Sequence, residues 1–341
     1  MQYLRFLLTI VICAMFVYGE ERPAPTDSAR IDTALSGAEK YVARGDTYSK
    51  KGDYDSAIAV YTKAMSLGSR SAVVYKKRGN AFLDKDAYDS AIADYTEAIR
   101  LAPDSAYTYN DRGYAYGGKS AYDLAIADFT KAIRLDSNYV DAYRNRGSAY
   151  DMKGNYDSAI VNYNKAIKLA PNDTLSYYYR GLVYSCNKFN DGLAVADLTK
   201  AITLDSNYAD AYYSRGCIYY NNGYYDLAIA DFTKAIRLDT NAADAYNNRG
   251  YTYSEKGEYD LAIADYSESI RLAPTNANTY LNRGYAYVKK GRYGLAVADY
   301  VKAVRLDPIR FWWVFGVGFA VILVVYLTVT LVKKLKKRYR G

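Results

Sequence analysis

Histidine is absent from the 341 residues, and cysteine (3), tryptophan (2) and proline (6) are sparse. Without imidazole there is no Ser-His-Asp or Cys-His nucleophile pair, no imidazole general base and no histidine-ligated metal. Three cysteines cannot complete a four-thiolate zinc site, and a chain this long is no disulfide scaffold. A basic body is missing too. The net charge is +8, but residues 1–19 carry +1 and residues 333–341 carry +6, which leaves +1 for everything between. A nearly neutral body removes the electrostatic footprint of a nucleic-acid-binding protein.

The two ends differ from the rest. Residues 1–19 hold Arg5 and then an apolar run from Phe6 to Val17. That run is short for a bilayer span of about 20 residues, and it reads as a secretory signal peptide. Residues 20–37 form a polar lead-in. At the other end, Phe311 to Val332 is 22 residues without a charge. At about 1.5 Å per residue this is about 33 Å of helix, matched to a hydrocarbon core of about 30 Å. Trp312 and Trp313 stand at its start, and Lys333, Lys334, Lys336, Lys337, Arg338 and Arg340 follow its end. Aromatic belt and positive flank predict a transmembrane helix over 309–332 with a basic cytoplasmic tail at 333–341. Gly316 and Ala320, four apart, are a small-xxx-small spacing compatible with helix pairing and hence homodimerisation.

What is abundant is tyrosine, 42 residues, and it is periodic. An Arg-Gly pair recurs eight times, from Arg44-Gly45 to Arg283-Gly284, with glycine-to-glycine steps of 34 residues and a single step of 35. With this glycine as position 8, units start at 38, 72, 106, 140, 174, 209, 243 and 277. Within a unit, Tyr41, Gly45 and Tyr48 share one helical face, and Ala57, Tyr61 and Ala64 share another. Gly52 ends the first helix, Asp55 is placed to cap the second, and Pro103, Pro171, Pro274 and Pro308 stop the second helix in four units. Positions 4, 11, 17 and 24 hold 27 of the tyrosines, which marks those columns as core. The fifth unit carries one extra residue near 187–191, at the turn between its helices, with Phe189 expected in the tyrosine column.

Period and columns resemble the tetratricopeptide repeat (TPR) family over 38–308. The resemblance implies an all-α, right-handed superhelical solenoid of eight helix-turn-helix repeats. It also implies a concave face lined by positions 2, 5, 9, 12 and 13 of the first helices. Those positions hold Tyr107, Tyr114, Tyr178, Tyr213, Tyr220, Tyr251 and Tyr285, none of them in a core column, together with Arg144, Asp210 and Asp244. These ten residues are the candidate peptide-binding groove, since tyrosine supplies contact area at low entropic cost. The groove acids Glu39, Asp46, Asp84, Asp141, Asp151, Asp210, Asp244 and Glu255 outnumber the bases Lys50, Lys76, Arg144 and Lys289, which favours a neutral or basic ligand. A carboxylate clamp for chaperone tails is incomplete: Lys76 and Asn80 fit it, but Asp111, Asp141 and Asn145 do not.

Arg at position 7 and Asp at position 23 (Asp94, Asp128, Asp197, Asp231, Asp265, Asp299) predict a structural ion pair between facing helices. Cys186 and Cys217 are expected as thiols, because neighbouring first helices lie farther apart than a disulfide allows. Asp55, Asp89 and Asp123 are read as helix caps. No catalytic pair, metal spacing or cofactor motif stands out, and no stretch outside the repeats is large enough for a catalytic domain. The expectation is a noncatalytic protein-protein interaction scaffold of bacterial character, anchored to a membrane with its repeats extracytoplasmic and its C-terminus cytoplasmic. A tail-anchored cytosolic receptor and an accessory subunit of an envelope enzyme or transport complex are the alternatives.

Overall fold

The computed structural model describes residues 37–186 and 190–308. The expected signal peptide, the residues 187–189 of the fifth-unit insertion with Phe189, and the expected transmembrane helix with its tail lie outside the described residues. Among the described residues no helix is long and apolar enough to cross a membrane.

Sixteen helices and no strand are found among the described residues. They pair as hairpins: α1 (Gly37–Lys50) with α2 (Tyr54–Ser66), α3 (Ala72–Leu83) with α4 (Tyr88–Leu101), α5 (Ala106–Gly118) with α6 (Tyr122–Leu135), and α7 (Val140–Met152) with α8 (Tyr156–Leu169). Then follow α9 (Thr174–Cys186) with α10 (Asp191–Leu204), α11 (Ala209–Asn221) with α12 (Tyr225–Leu238), α13 (Ala243–Glu255) with α14 (Tyr259–Leu272), and α15 (Ala277–Lys289) with α16 (Tyr293–Leu306). The chain divides into two compact units, one ending at Asp197 and the next beginning at Leu198, inside α10.

Two columns explain the hairpin. A Cβ on Gly113 would lie 2.8 Å from the Phe129 ring, so the bare glycine is what lets the position-24 aromatic of the second helix close onto the first. The same ring then meets the next hairpin through small residues. Ala57 and Tyr61 cluster with Ala81, Ala91 and Tyr95 with Ala115, Ala125 and Phe129 with Ala149, and Ala262 and Tyr266 with Ala286. In these four hairpins the ring is buried only when a neighbour supplies the alanine lid, which is why the unit must repeat.

The arginine column forms the expected pair, and more. Arg78, Arg112, Arg180, Arg215, Arg249 and Arg283 each grip the position-23 aspartate of their own hairpin through Nε and Nη2, at 2.7–2.8 Å. In the fourth hairpin Arg146 donates to Asn162 Oδ1 at 2.8 Å instead. The remaining nitrogen, Nη1, donates to position 25 of the preceding hairpin. Its acceptors are the hydroxyls of Thr62, Thr96, Thr130, Thr199, Thr233 and Ser267 at 2.9–3.1 Å, and the Asn164 amide oxygen. One planar fork therefore ties a hairpin to itself and to its neighbour, with its face over the tyrosines of its own helix.

One expectation is corrected. Asp55 does not cap α2. The N-cap is Asp53, whose carboxylate accepts from the Ser56 N–H at 3.1 Å. The first helix stops at Lys50 and Gly52 turns the chain at φ 75°, so the second helix opens at Tyr54 and leaves Asp55 inside its first turn. Asp55, Asp89, Asp123, Asp226 and Asp260 instead pair with Lys85, Lys119, Lys153, Lys256 and Lys290 of the next hairpin. These exposed links set register between neighbours and add little stability. At the equivalent turn Asp86 and Ser120 take φ 57° and 59° without being glycine.

Candidate functional site

The candidate residues all sit on first helices, but the structure sorts them into floor and surface. Tyr178 is 9% exposed and its ring lies 5.4 Å from that of Tyr179. Tyr114 packs on the Ala125–Phe129–Ala149 cluster. Tyr213 is half-buried, 5.9 Å from the Phe232 ring, and its hydroxyl accepts from the Asn248 amide at 3.0 Å. Burial holds the Tyr213 phenol above its ordinary range. Tyr107, Tyr251 and Tyr285 remain 57%, 38% and 48% exposed.

The charged candidates divide likewise. Arg144 bridges Asp141 of its own helix and Asp173 at the next hairpin's start, 3.0 Å from the latter. It orders the fold rather than presenting a free cation. Asp210 is half-buried, and its carboxyl is raised above the usual range by burial and then by the nearby Asp239. Asp244 is exposed.

Polar rungs that were not anticipated run between successive first helices, from position 5 of one hairpin to position 6 of the next. Lys76 pairs with Asp111 at 3.2 Å, and Asn145 donates to Asn110 at 3.0 Å. Farther along, Asn248 donates to Tyr213 and Asn282 to Asn247, the latter at 3.2 Å. Burial still holds the Asp111 carboxyl above its usual range, against the lowering effect of Lys76. The recurrence of Asn145, Asn248 and Asn282 at position 6 was the available signal. Lys76 and Asn80, which fit part of a carboxylate clamp, are both engaged, since Asn80 accepts from the Tyr95 hydroxyl at 2.9 Å.

What stays open in the first unit is Tyr107, its ring tilted against that of Tyr139 at 4.9 Å with the Lys76 ammonium 5.4 Å away. In the second unit the rings of Tyr220 and Tyr251 meet edge to face at 5.4 Å, Tyr225 lies 5.8 Å from Tyr220, and the Lys289 ammonium sits 5.2 Å from the Tyr285 ring. Glu255 contributes to raising the Tyr220 phenol, after burial and Tyr251. Cys186 and Cys217 are half-buried thiols. No cluster able to hold a metal ion occurs among the described residues.

Asp84 carries a pH prediction. Although part of Asp84 is exposed to solvent, desolvation by the protein around its carboxyl, and then the Asp86 charge, push it up to about 6. A raised carboxyl binds its proton more tightly in the folded state, so stability falls as pH rises from about 4 to about 6. Asp84→Asn should be more stable than the parent at pH 7, on the order of 1 kcal/mol after solvent screening, with the gap closing by pH 4. Urea midpoints at the two pH values check it.

Family models place this architecture. The TPR repeat model matches residues 79–120, 119–154, 191–223, 217–257 and 250–291, more than half of the chain. The chain belongs to the tetratricopeptide-repeat family. Further tetratricopeptide-repeat models match 140–173, 277–309 and 38–67. No curated protein sequence matches. Among solved structures, a tetratricopeptide repeat protein from Parabacteroides merdae is similar at 17% identity, over 76% of this chain and 98% of that one, with a TM-score of 0.58. A chain of the APC/C hetero-tetramer Cut9-Hcn1 is similar at 20% identity over 82% of this chain but 56% of its own, with a TM-score of 0.56. MamA shares 32% identity over 48% of this chain and 95% of its own, with a TM-score of 0.46. The first two likenesses speak for the fold alone. Tetratricopeptide repeats are in general noncatalytic scaffolds for protein interaction, and no enzymatic family is indicated.

Proposed function

We propose that this TPR protein is a noncatalytic scaffold that holds a peptide or helix of a protein partner along its first-helix face. The observation that carries the reading is the tyrosine strip of the second unit. Tyr251 and Tyr285 stay exposed at positions where no core ring is required, with Tyr220 braced against Tyr251. Rigid aromatic rings on an ordered polar floor make a low-entropy contact surface. The floor rungs fix the spacing of that surface, because their polar groups are already satisfied within the fold.

The tether belongs to the same proposal. Residues 309–332 anchor the array in a membrane, residues 333–341 lie on the cytoplasmic side, and the repeats lie opposite, at a bacterial envelope or in a lumen. A mature N-terminus near Glu20 and repeats protected from external protease in sealed vesicles of that topology support it. Repeats digested from the cytoplasmic side place the array in the cytosol as a tail-anchored receptor.

A photo-crosslinking residue tests the binding face. Placed at Tyr251 it should capture a discrete partner, and placed at Leu261, exposed on the second helix, it should not. Equal capture at the two positions contradicts the reading.

A further inference from the structure

The exposed first-helix tyrosines differ in what lies over their rings. Tyr107 has the Lys76 ammonium 5.4 Å from its ring, and Tyr285 has that of Lys289 at 5.2 Å. Tyr251 is 38% exposed, yet among the described residues no lysine or arginine stands over it. The array thus meets two of its open tyrosines with its own cations and leaves one unmet.

Register explains the difference. Tyr285 and Lys289 are positions 9 and 13 of the eighth hairpin, four residues apart and so on one face of α15. In the seventh hairpin the same two positions on α13 are Tyr251 and Glu255. One hairpin therefore sets a cation beside its tyrosine, and its neighbour sets a carboxylate there. Glu255 is exposed and has no ion pair among the described residues. The cation beside it in the chain, Lys256, is held by Asp226 at 2.7 Å and Glu258 at 3.1 Å. Around Glu255 the aromatic rings gather: Tyr220 meets Tyr251 edge to face at 5.4 Å, and Tyr225 lies 5.8 Å from Tyr220. The Tyr220 and Tyr266 phenols are both held above their ordinary range, by burial first, and Glu255 contributes to each.

A tyrosine face draws a cation through the ring quadrupole, and an adjacent carboxylate adds a charge-assisted hydrogen bond. Both repel an anion, and an apolar side chain set there would strip water from Glu255 without replacing its hydrogen bonds. We infer that Tyr251 and Glu255, with Tyr220 braced on Tyr251, seat an arginine or lysine side chain of the partner, where the eighth hairpin seats its own Lys289. The inference rests on the reading of this face as the binding face and adds the chemistry of its occupant, a basic peptide segment. Tyr107 and Tyr285, already met by Lys76 and Lys289, offer contact area and no second cation seat.

The test uses the full chain in detergent micelles and a library of displayed dodecapeptides. Selection on the parent chain should enrich peptides with arginine or lysine at one fixed position. Fluorescence anisotropy with the most enriched peptide, synthesised and labelled, then compares variants. Glu255→Lys should weaken it at least about tenfold, because the new ammonium takes the place over Tyr251 that Lys289 takes over Tyr285. Glu255→Gln, which keeps the rings and loses the charge, should weaken it about threefold. Replacing the basic residue of the peptide by glutamine should cost as much as Glu255→Lys, and the two losses should not add. Lys289→Glu should act in the opposite sense and open a second seat at Tyr285. Selection on that chain should enrich a second basic residue about three residues from the first, since neighbouring first helices lie about 8–10 Å apart and an extended peptide rises about 3.3 Å per residue. Glu255 and Lys289 are both exposed, so neither exchange disturbs the core. Peptides that are lost on Tyr251→Ala but carry no fixed basic residue, or that bind Glu255→Lys as tightly as the parent, overturn this inference and leave the binding face standing. Peptides indifferent to Tyr251→Ala, or no enrichment at all, overturn both.

Discussion

Arg249→Ala should destabilise the second unit by about 3–5 kcal/mol. Arg249 grips Asp265 through two bonds of 2.8 and 2.7 Å and reaches Thr233 of the preceding hairpin at 3.0 Å. Asp265 is 7% exposed, so truncating the arginine strands a carboxylate with almost no access to water. The loss of an uncompensated partner exceeds the net worth of the pair, which is why the prediction concerns breaking it and not its total contribution. Arg249→Lys should fall between, since an ammonium keeps the charge but cannot serve three acceptors in one plane. Asp265→Asn should cost less than half as much, because the fourth hairpin already runs on an asparagine, Asn162, at 2.8 Å from Arg146. Urea denaturation ranks the three variants. Faster amide exchange in α12 as well as in α14 identifies the arm to Thr233, and a change confined to α14 contradicts it.

Gly113→Val is the second large effect, at about 3 kcal/mol of destabilisation. The added Cβ alone would stand 2.8 and 2.9 Å from the Phe129 ring and 3.2 Å from the Ala125 carbonyl oxygen. The ring has nowhere to go, since Ala149 of the next hairpin closes its other side. Overpacking a filled core costs about 1–3 kcal/mol, and a branched Cγ adds contacts where none fit. Helix propensity pulls the other way, by up to about 1 kcal/mol for Gly→Ala, so Gly113→Ala should be the milder variant. Gly294→Ala is the control. Nothing lies within 4 Å of a Cβ there, so the same chemical change should be neutral or stabilise by up to about 1 kcal/mol. Thermal unfolding with calorimetric enthalpies separates the cases, and equal effects at 113 and 294 contradict the close-approach account.

Much of the fold was legible because its determinants repeat. A helix face read once at Tyr41, Gly45 and Tyr48 is read eight times, and accidents do not keep a 34-residue beat. The Arg–Asp pair could be named for the same reason. Its third bond could not, because a threonine at position 25 looks like any surface residue until the neighbouring hairpin is placed beside it. The cap at Asp53 was misassigned to Asp55 through a two-residue uncertainty in where the helix opens, which sequence spacing does not resolve. The binding face was the least legible part. Position alone put Tyr178 and Tyr213 with Tyr251 and Tyr285, yet packing buries the first and half-buries the second while leaving the others open. Position likewise put Arg144 in the groove, and the structure uses it on Asp173 and Asp141.

The central claim is that the exposed first-helix tyrosines, and not the array in general, hold a protein partner. It is tested most directly by the amount of partner recovered on cross-linked pull-down of the full chain carrying Tyr251→Ala and Tyr285→Ala together, beside a chain carrying Leu227→Ala and Leu261→Ala on the second helices. These side chains are all at least 38% exposed, so none of the four replacements opens a core cavity, and circular dichroism confirms the fold in each. Removing two aromatic anchors from a contact surface costs on the order of 2–4 kcal/mol of binding. The account predicts at least about tenfold lower recovery for the tyrosine pair and parental recovery for the leucine pair. Parental recovery with the tyrosines replaced contradicts it.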